Sequence, residues 1–419
     1  MQRLFIVGII LSSWLLSASC QAPTVIYERV SLEELNYDPN QPSTYEEPRR
    51  RRFIRNINYE AYLPDTLHPR YQPPRIVQLA FHYMNTQDTF YQEYEGGEGL
   101  EYAKSLVYYM NSNLSRNEPY RLNPDLPVYP PGWRFEIGKD PETAEPAVYH
   151  HYTDDDYDYL HAGPHQNRGD RGVLKYTVTP DSLLNIFIMA PPRDSMGSPT
   201  FQPEDPLGVW MGSVVKVTGF HPRRQPWSHK NNLNHEANHA FGLPHAWLQN
   251  DGCDDTVVHP NDCWNENSNP GCDTLASNNV MDYNVWQIAL TPCQIGRVRE
   301  AFAREGSKAR GWLKTGWCRY RPDQPIRIRE EVNWEGGHDL ESDLIITNGA
   351  RLYVNERLHL PIGARIVIEP GGTLHLGPKA WLHNDCGENW GGIQIGRVGR
   401  NQGMLITEDG FRVDNLSNL

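Results

Sequence analysis

The stretch His235-Glu236-Ala237-Asn238-His239-Ala240-Phe241-Gly242-Leu243-Pro244-His245 organises the interpretation of the whole sequence. His235 and His239 are four residues apart, so on a helix both imidazoles lie on one face and can reach one Zn²⁺ at about 2.0–2.1 Å. Gly242 allows the chain to leave the helix through a left-handed turn, and Pro244 discourages further helix. His245 can then return as a third ligand, which leaves an open position for water, as a catalytic zinc needs.

Glu236 follows the first histidine, where its carboxylate can reach a metal-activated water. It can accept the water proton as a general base and later give it to the leaving amine as a general acid. The extended pattern HExxHxxGxxH occurs by chance in about one chain in ten thousand of this length, whereas a bare HExxH is less specific. The pattern predicts zinc on His235, His239 and His245; the competing interpretation is a histidine-rich helix end without a metal.

A second segment, Ser277 to Asn284, places Met281 36 residues after His245, counted from 245 to 281. An extended zinc motif followed by a methionine turn is the metzincin signature. We expect Met281 to form an apolar floor under the metal site. Tyr283, two residues on, is expected to approach the zinc or the oxyanion, although a Met-x-Tyr pattern by itself is more often core packing.

Beyond this signature, the chain resembles the pappalysin family of metzincins. The zinc motif runs on through Ala246-Trp247, and residues 279–283 (Asn-Val-Met-Asp-Tyr) are similar to the family's Asn-Tyr-Met-Asp-Tyr. Residues 290–299 and 76–82 carry further likeness, so the resemblance covers about residues 75–305. It implies a two-lobed catalytic domain with its cleft above the zinc helix. It also implies that a strand within residues 208–219 binds extended substrate by edge pairing.

The sequence departs from the family at two places. Asn238 stands where the family has Gly before the second ligand, and we expect this to alter packing rather than chemistry. The family's calcium loop has an Asp-Thr-Pro element, which residues 254–257 and 272–275 match only in part. Calcium prefers several oxygen ligands, and this loop is rich in Asp and Asn. A Ca²⁺ site and a solvated, disulfide-tied loop both remain as hypotheses.

The chain has seven cysteines, and setting Cys20 apart leaves six, an even number that suggests disulfides in an exported protein. Four of these lie between residues 253 and 293 and allow three pairings. With the resemblance in view, cysteine order suggests Cys253–Cys272 and Cys263–Cys293. The pair Cys318–Cys386 would then join the end of the catalytic domain to the following segment.

The N-terminus predicts export. A basic residue, Arg3, precedes an apolar stretch over 4–16 and small residues at 17–19, which is typical of a secretory signal over residues 1–20. The apolar stretch is too short to span a bilayer, and no later segment is a transmembrane candidate. Cys20 is either a lipid-bearing cysteine that attaches the protein to a membrane or a residue at an ordinary cleavage site.

Residues 21–72 are rich in Pro, Glu, Tyr and Arg, so we interpret them as a prosegment or linker. The basic run Arg49–Arg52 within them is either a solvated loop or a processing site. The net charge of −13 argues against a nucleic-acid partner, because phosphates require a basic surface. Hydrophobic content of 38% and charged content of 22% are ordinary for a soluble protein.

Residues 73–315 mix strands and helices, which indicates an α/β or α+β domain. Apolar patterning predicts strands over residues 76–82, 133–137, 184–189 and 209–220, the last with a bulge at Gly212, and helices over residues 99–114 and 292–304, the second with Thr291 as its N-cap.

From about residue 325 the sequence becomes a run of short β segments. Residues 349–354 are similar to residues 371–376, which lie 22 positions later. Residues 358–360 (Leu-His-Leu) match residues 380–382. Residues 365–368 match residues 392–395 after an insertion that contains Cys386. A period near 22 with three strands per repeat predicts a β-solenoid over residues 325–419. A small β-sandwich is the alternative. The predicted architecture is therefore a two-lobed metzincin domain followed by an all-β, right-handed β-helix-like segment.

The leading hypothesis from the sequence is a secreted or surface-attached zinc endopeptidase acting on protein or peptide substrates. The rival from another class is a surface binding or adhesion protein whose metal domain is structural or slow. A zinc hydrolase with a substrate other than protein is a third, weaker interpretation, since a metzincin cleft suits extended polypeptide.

Overall fold

The computed structural model describes residues 24–31, 34–35, 57–89, 97–160, 166–193, 207–217 and 225–417. The predicted signal over residues 1–20, Cys20 and the basic run Arg49–Arg52 lie outside the described residues. Within the described ranges, no helix is both long and apolar enough to cross a membrane.

The chain as far as Cys318 mixes helices and strands. Its strands are β1 (Ile26–Arg29), β2 (Arg75–Asn85), β3 (Trp133–Ile137), β4 (Val148–Tyr152), β5 (Leu184–Ile188), β6 (Gly208–Trp210) and β7 (Val214–Val217). Its α-helices are α1 (Gly97–Ser115), α2 (Lys230–Ala240), α3 (Cys272–Leu275), α4 (Pro292–Ala303) and α5 (Lys308–Gly311). Short 3₁₀ turns occupy residues 59–62, 172–176, 226–228 and 316–318. The predicted helices and the first three predicted strands are confirmed, with bounds that differ by a few residues.

One mixed sheet carries this part of the molecule. Its order is β3-β2-β5-β7-β6, with β4 also paired to β2. The pairings of β2 with β3, β4 and β5, and of β5 with β7, are parallel, whereas β6 runs antiparallel to β7 at the edge. Strands β2 and β5 are nearly continuous apolar runs because parallel strands are covered on both faces. The zinc-motif helix α2 packs on α1 and on strands β6 and β7.

The predicted single strand over residues 209–220 is wrong. The described part of this segment is a hairpin, in which β6 and β7 pair and the Met211 N–H donates to the Val214 carbonyl at 2.8 Å. Gly212 has φ +81°, a left-handed conformation that reverses the chain rather than bulging it. Residues 218–220 lie outside the described part. The hairpin leaves β6 as the edge strand beside helix α2.

After Cys318 the described chain is built from short strands. They are β8 (Ile326–Ile328), β9 (Glu331–Trp334), β10 (His338–Asp339), β11 (Leu344–Ile346), β12 (Arg351–Val354), β13 (Arg357–His359), β14 (Arg365–Ile368), β15 (Thr373–Leu376), β16 (Trp381–His383), β17 (Gly392–Val398), β18 (Asn401–Gln402), β19 (Met404–Thr407) and β20 (Arg412–Val413).

These strands form three sheets, each collecting one strand from every turn of the chain, while β18 pairs antiparallel with β17. The orders are β8-β11-β14-β17, β9-β12-β15-β19 and β10-β13-β16-β20, and all of these pairings are parallel. Inward side chains such as Leu352, Leu358 and Ile366 are fully buried between the sheets. Each turn of the chain therefore buries its apolar face against the next turn.

Two of the three predicted repeat matches have the observed register, and one does not. Arg351 pairs with Thr373 and Arg365 with Gly392, as the sequence alignment requires. Leu358, however, pairs with Leu382 and not with Ala380. The corner between β15 and β16 is two residues longer than the corner between β12 and β13, which shifts the third strand of the repeat.

The described parts of residues 21–72 contribute to packing, which their composition did not suggest. Strand β1 pairs antiparallel with β17, and Val30, Leu35 and Tyr71 are buried in the all-β core. The 3₁₀ turn at residues 59–62 packs on α4, where the Tyr59 carbonyl leaves no room for a Cβ at Gly296. These residues therefore contact both parts of the molecule.

Candidate metal centre

Helix α2 places two of the three predicted ligands on one face, one turn apart. His235 is almost fully buried, and its Nδ1 lies 2.7 Å from the Val280 carbonyl oxygen. His239 Nδ1 lies 2.6 Å from the Leu243 carbonyl oxygen. A carbonyl accepts only, so both Nδ1 atoms carry the proton and both Nε2 lone pairs are free in the neutral rings.

The end of helix α2 delivers the third histidine. Gly242 has φ +101°, its N–H donates to the His239 carbonyl, and the Leu243 N–H donates to the Asn238 carbonyl, both at 3.0 Å. This is a Schellman cap, the left-handed exit that the glycine predicted. His245 then returns to the other two rings, and its own ring stacks on Trp247 at 4.0 Å between centroids.

The three Nε2 atoms converge on one point. His239 Nε2 lies 3.0 Å from His235 Nε2 and 3.1 Å from His245 Nε2. Unprotonated nitrogens facing each other at this distance repel unless a cation lies between them. Three nitrogens at about 2.0–2.1 Å from one Zn²⁺ in tetrahedral geometry are about 3.3 Å apart, so the cluster fits zinc.

Burial keeps these rings neutral. It lowers the pKa of His245 to about 3, lowers the pKa of His239, and holds the pKa of His235 well below its usual range, with the neighbouring histidines adding to the effect on His235 and His245. Metal binding requires the unprotonated imidazole. The site is therefore ready to bind a cation at neutral pH without first releasing protons.

Glu236 points from the same helix towards the edge of the sheet. Its side chain is almost fully buried, and burial raises its pKa to about 8, opposed by a hydrogen bond from the Trp210 backbone N–H. Strand β6 approaches closely here, since a Cβ on Gly208 would lie 2.7 Å from Glu236 Cγ and 2.4 Å from Asn232 Oδ1. The Glu236 side chain therefore packs against the edge strand, one residue after the first predicted ligand.

The methionine turn lies beneath the histidines. Met281 is fully buried, and its carbonyl accepts the Ala246 N–H at 3.2 Å, one residue after the third ligand. Tyr283 is half-exposed, with its ring centroid 5.2 Å from that of His245 and 5.8 Å from that of His235. The structure thus places the three histidines, Met281 and Tyr283 close together, and Glu236 follows His235 on the same helix.

Sequence reasoning missed the groups that hold the turn in place. Asn279 Oδ1 accepts the Met281 N–H at 2.8 Å and the Gln294 Nε2 hydrogen at 3.1 Å, while Asn279 Nδ2 donates to Gln294 Oε1 at 2.8 Å. Gln294 also completes the capping box of α4 with Thr291. The pattern Thr-x-x-Gln before an apolar run could have predicted this box, and the Asn-rich run could have predicted the Asx turns.

The predicted disulfide pairing in this region is wrong. The bonds are Cys253–Cys293 and Cys263–Cys272, whereas the third bond, Cys318–Cys386, is as expected. Asp255 explains the first, since its carboxylate accepts the Thr291 Oγ1 hydrogen at 2.7 Å and the Cys293 N–H at 2.8 Å. This interaction docks the loop on the start of α4, so Cys253 meets Cys293. The remaining two cysteines close a short local loop.

The predicted calcium loop uses its carboxylates internally. Asp255 caps α4 as described, and Asp251 accepts the Cys253 N–H at 2.9 Å and the Thr256 Oγ1 hydrogen at 2.7 Å. Within the described ranges, the candidate metal-binding group in this loop consists of Asp255, Cys253 and Cys293. The two cysteines are already joined in a disulfide, which leaves one carboxylate. A Ca²⁺ ion on this loop stays a prediction.

Asn238, the departure from the family pattern, is accommodated inside helix α2. The residue is fully buried, and its Nδ2 donates to the Asn234 carbonyl one turn earlier at 2.8 Å. That Asn238 alters packing and not chemistry stays a prediction.

Solved structures of mirolysin are similar to part of this chain. Mirolysin in complex with a compound matches with a TM-score of 0.37 and 13% identity, covering 57% of this chain and 96% of that one. Mature mirolysin from Tannerella forsythia with a cleaved peptide has a TM-score of 0.37 and 13% identity, and the match covers 57% of this chain and 94% of that one. A promirolysin mutant from the same organism has a TM-score of 0.39 and 14% identity, and the match covers 59% of this chain and 87% of that one. These are distant likenesses.

A scan against protein-family models finds no match, and a search of the curated proteins finds none either.

Proposed function

We propose that this protein is a zinc-dependent endopeptidase of the metzincin type, with the pappalysin family as the one it resembles in sequence. One observation carries the proposal: three unprotonated Nε2 atoms converge at 3.0–3.1 Å, and the residue after the first histidine, Glu236, is a buried carboxylate beside the edge strand. A structural zinc site is usually closed by four protein ligands, whereas three ligands and a nearby carboxylate are typical of a hydrolytic site.

Zinc bound here would activate a water molecule and polarise the substrate carbonyl. Glu236 accepts the proton of the attacking water and passes it to the nitrogen of the leaving amine. A carboxylate held at one place beside the reacting water can take the proton and give it back within one cycle. Tyr283, half-exposed beside His245, donates a hydrogen bond to the developing oxyanion.

Strand β6 binds the substrate. It is the edge strand of the sheet, and it runs beside Glu236 with only one side paired to β7. An extended peptide that adds to this free edge places a scissile carbonyl over the metal centre. Backbone pairing of this kind recognises extended polypeptide rather than a small molecule, which favours an endopeptidase.

The rest of the chain fits an enzyme that works outside the cytosol. Residues 1–20 act as a secretion signal, and a lipid on Cys20 would attach the protein to a membrane surface. Three disulfides support an oxidising environment. The three parallel ladders after Cys318 support a β-helix-like segment. In the loop that follows the zinc helix, a bound Ca²⁺ would stabilise the loop in addition to its disulfides.

The test compares the full chain with the variant Glu236→Gln on a denatured protein mixture, with the zinc content of both measured. Because Gln cannot accept the proton, we expect cleavage to fall by at least roughly 100-fold while the zinc content is unchanged. Glu101→Gln is the matched control, since Glu101 is an exposed acid on α1 that pairs with Lys104.

A chelator should abolish cleavage by the wild type, and added zinc should restore it. If both proteins bind zinc and neither cuts, the rival hypothesis of a surface binding or adhesion protein gains. If neither protein binds zinc, the proposed function is wrong.

A further inference from the structure

One of the three converging histidines, His245, is held differently from the other two. The Nδ1 atoms of His235 and His239 lie 2.7 Å and 2.6 Å from the carbonyl oxygens of Val280 and Leu243. Within the described residues, no group forms a hydrogen bond with His245 Nδ1. An outer hydrogen-bond partner normally fixes the ring of a metal-binding histidine. His245 therefore depends on some other contact for its orientation.

An indole ring supplies that contact. The Trp247 ring lies on the His245 ring with 4.0 Å between centroids and 13° between planes. A turn brings the two rings together, because the Leu248 N–H donates to the His245 carbonyl at 3.3 Å. The buried residue between the two rings, Ala246, donates its N–H to the Met281 carbonyl at 3.2 Å. Stacking on a turn that is tied to the methionine turn thus sets the plane of the His245 ring.

This stacked geometry favours a histidine that holds a cation. An imidazole that gives its lone pair to a metal becomes electron-poor, whereas the face of an indole is electron-rich. The attraction between the two rings is therefore stronger when a metal is bound than when the imidazole is free. By linkage, a contact that is stronger in the bound state raises the affinity for the metal, and metal binding strengthens the contact in return.

The same indole contacts Tyr283, the residue expected to bind the oxyanion. The centroids of the Trp247 and Tyr283 rings are 4.6 Å apart, whereas Tyr283 lies 5.2 Å from His245 and 5.8 Å from His235. Tyr283 is 45% exposed, and its hydroxyl forms no hydrogen bond with any residue that the structure describes. Of the ring contacts that set the place of Tyr283, the nearest is therefore the contact with Trp247.

We propose that Trp247 is a positioning residue that fixes the plane of the His245 ring and the place of the Tyr283 ring at the same time. This inference rests on the proposed endopeptidase function and adds to it a residue that acts through two others. Trp247 is partly buried, and its indole N–H can donate a hydrogen bond but cannot accept a proton. It acts on metal affinity through His245 and on the oxyanion through Tyr283.

The experiment compares the full chain with Trp247→Leu, Trp247→Phe and Trp264→Leu. Leu fills part of the space but cannot stack, whereas Phe keeps an aromatic face. Trp264 is the matched control, because it is 51% exposed and its ring contacts no other aromatic ring in the described part of the chain.

Four quantities are measured on each protein. Competition with a chelator gives the zinc dissociation constant, and a peptide taken from the protein digest gives kcat and KM at saturating zinc. The change in tryptophan emission on adding zinc reports the surroundings of the indole. Thermal unfolding with and without zinc gives the rise in unfolding temperature that zinc causes.

We expect Trp247→Leu to weaken zinc binding roughly 10-fold, as the loss of an outer partner of a metal ligand does. Its kcat should fall roughly 10- to 100-fold with KM within about 3-fold of wild type, because Tyr283 acts in the transition state. Trp247→Phe should recover most of both losses, and Trp264→Leu should match the wild type.

Two further readouts separate this role from a merely structural one. The zinc-induced change in emission should disappear in Trp247→Leu and persist in Trp264→Leu. The zinc-induced rise in unfolding temperature should be smaller in Trp247→Leu than in the wild type at the same zinc concentration. A merely structural residue would lower both unfolding temperatures and leave the rise unchanged.

The inference is overturned if Trp247→Leu binds zinc as tightly as the wild type, if its kcat is unchanged, or if Trp247→Phe is as impaired as Trp247→Leu. If the wild type binds zinc but cuts no peptide and no protein in the mixture, the endopeptidase proposal fails, and the zinc affinities still decide whether Trp247 supports His245. If the wild type binds no zinc, the proposed function and this inference fail together.

Discussion

Single backbone carbonyls decide the chemistry of this site at the residue scale. Val280 and Leu243 each accept an Nδ1 proton, which leaves His235 and His239 with free Nε2 atoms aimed at one point. Ring orientation and tautomer are set together in this way, as outer partners do for metal-binding histidines in general. The ligands are thus positioned before any metal arrives, which reduces the conformational entropy that binding must overcome.

Gly208 offers a test of how closely the edge strand can approach Glu236. A Cβ there would lie 2.7 Å from Glu236 Cγ and 2.4 Å from Asn232 Oδ1, so Gly208→Ala must displace the carboxylate or the strand. We expect kcat/KM for a peptide to fall at least roughly 10-fold, since small misplacements of catalytic groups are costly. Zinc content should be unchanged, because no histidine is touched.

The control is Gly97→Ala at the start of α1, where a new Cβ meets nothing within 4 Å. Steady-state kinetics and metal analysis on both variants show whether a Cβ at position 208 lowers kcat/KM without changing the zinc content. Wild-type kinetics in Gly208→Ala would mean that the gap between β6 and α2 is wider than the structure has it.

Helix α4 acts at the scale of the element, because its first turn supports the turn beneath the metal. Gln294 donates to and accepts from the Asn279 side chain and also accepts the Thr291 N–H at 3.0 Å. Asp255 adds two hydrogen bonds to the same first turn, and the Cys253–Cys293 disulfide ties the loop to it. The helix start therefore connects the cysteine-rich loop with the methionine turn.

Replacing Gln294 by Ala should loosen this connection. The change leaves the buried Nδ2 group of Asn279 without its partner, which costs about 1–3 kcal/mol of unfolding free energy. Urea denaturation measures the loss, and zinc affinity should weaken as the Val280 carbonyl becomes less well placed. Gln324→Ala is the control, since Gln324 is exposed. Equal stability of the two variants would show that the helix start does not support the turn.

One buried carboxylate joins the two parts of the whole molecule. Asp339, on β10, lies 2.8 Å from Arg75, 2.9 Å from Arg310 and 2.7 Å from Arg357. Burial alone would raise the pKa of Asp339, but the three guanidiniums hold it well below its usual range. Arg75 and Arg310 belong to the mixed α/β part, so the all-β part supplies the charge that neutralises them. The Cys318–Cys386 disulfide crosses the same junction.

Asp339→Asn should therefore destabilise the whole protein and not only the all-β part. Removing one partner of a buried ion pair leaves uncompensated charge and typically costs about 3–5 kcal/mol. Thermal unfolding followed by circular dichroism measures the change, and Asp323→Asn, at an exposed position, is the control. If Asp339→Asn unfolds at the wild-type temperature, the charge cluster does not join the two parts.

The same junction predicts a dependence of stability on pH. Burial lowers the pKa of His338 to about 4, with Arg75 and Arg299 adding to the effect and the Gly336 carbonyl and Asp339 opposing it. An unfolded histidine titrates near 6.5, so the unfolded state binds more protons between these values. Stability is complete above about pH 6.5 and decreases by about 3 kcal/mol as the pH falls to about 4.

Urea denaturation at pH 7 and pH 5, in the presence of chelator so that zinc release does not contribute, tests this prediction. His338→Gln should lose less stability than the wild type between the two pH values. His68→Gln is the control on a half-exposed histidine. An identical pH dependence in the wild type and His338→Gln would contradict the assignment.

Local spacing is what made the metal site predictable from sequence. The ligands lie on one helix turn and its glycine exit, so their geometry depends on residues 235–245 alone and follows from helix periodicity and the φ of Gly242. The helices α1 and α4 and the long strand β2 were predictable for the same reason. Their apolar patterns are regular over many residues.

The features that sequence reasoning missed all depend on contacts between distant parts of the chain. The disulfide pairing follows from the docking of Asp255 on α4, and the buried Lys216 holds the Asn167 carbonyl, 49 residues earlier in the chain. Buried charges such as Asp339 have partners up to 264 residues away. The sequence by itself determined the histidine cluster, the carboxylate next to it on the helix and most of the regular elements, because each depends on short-range periodicity. Only the tertiary structure decided which cysteines pair and which buried cations are neutralised, because those outcomes depend on the packing of distant segments.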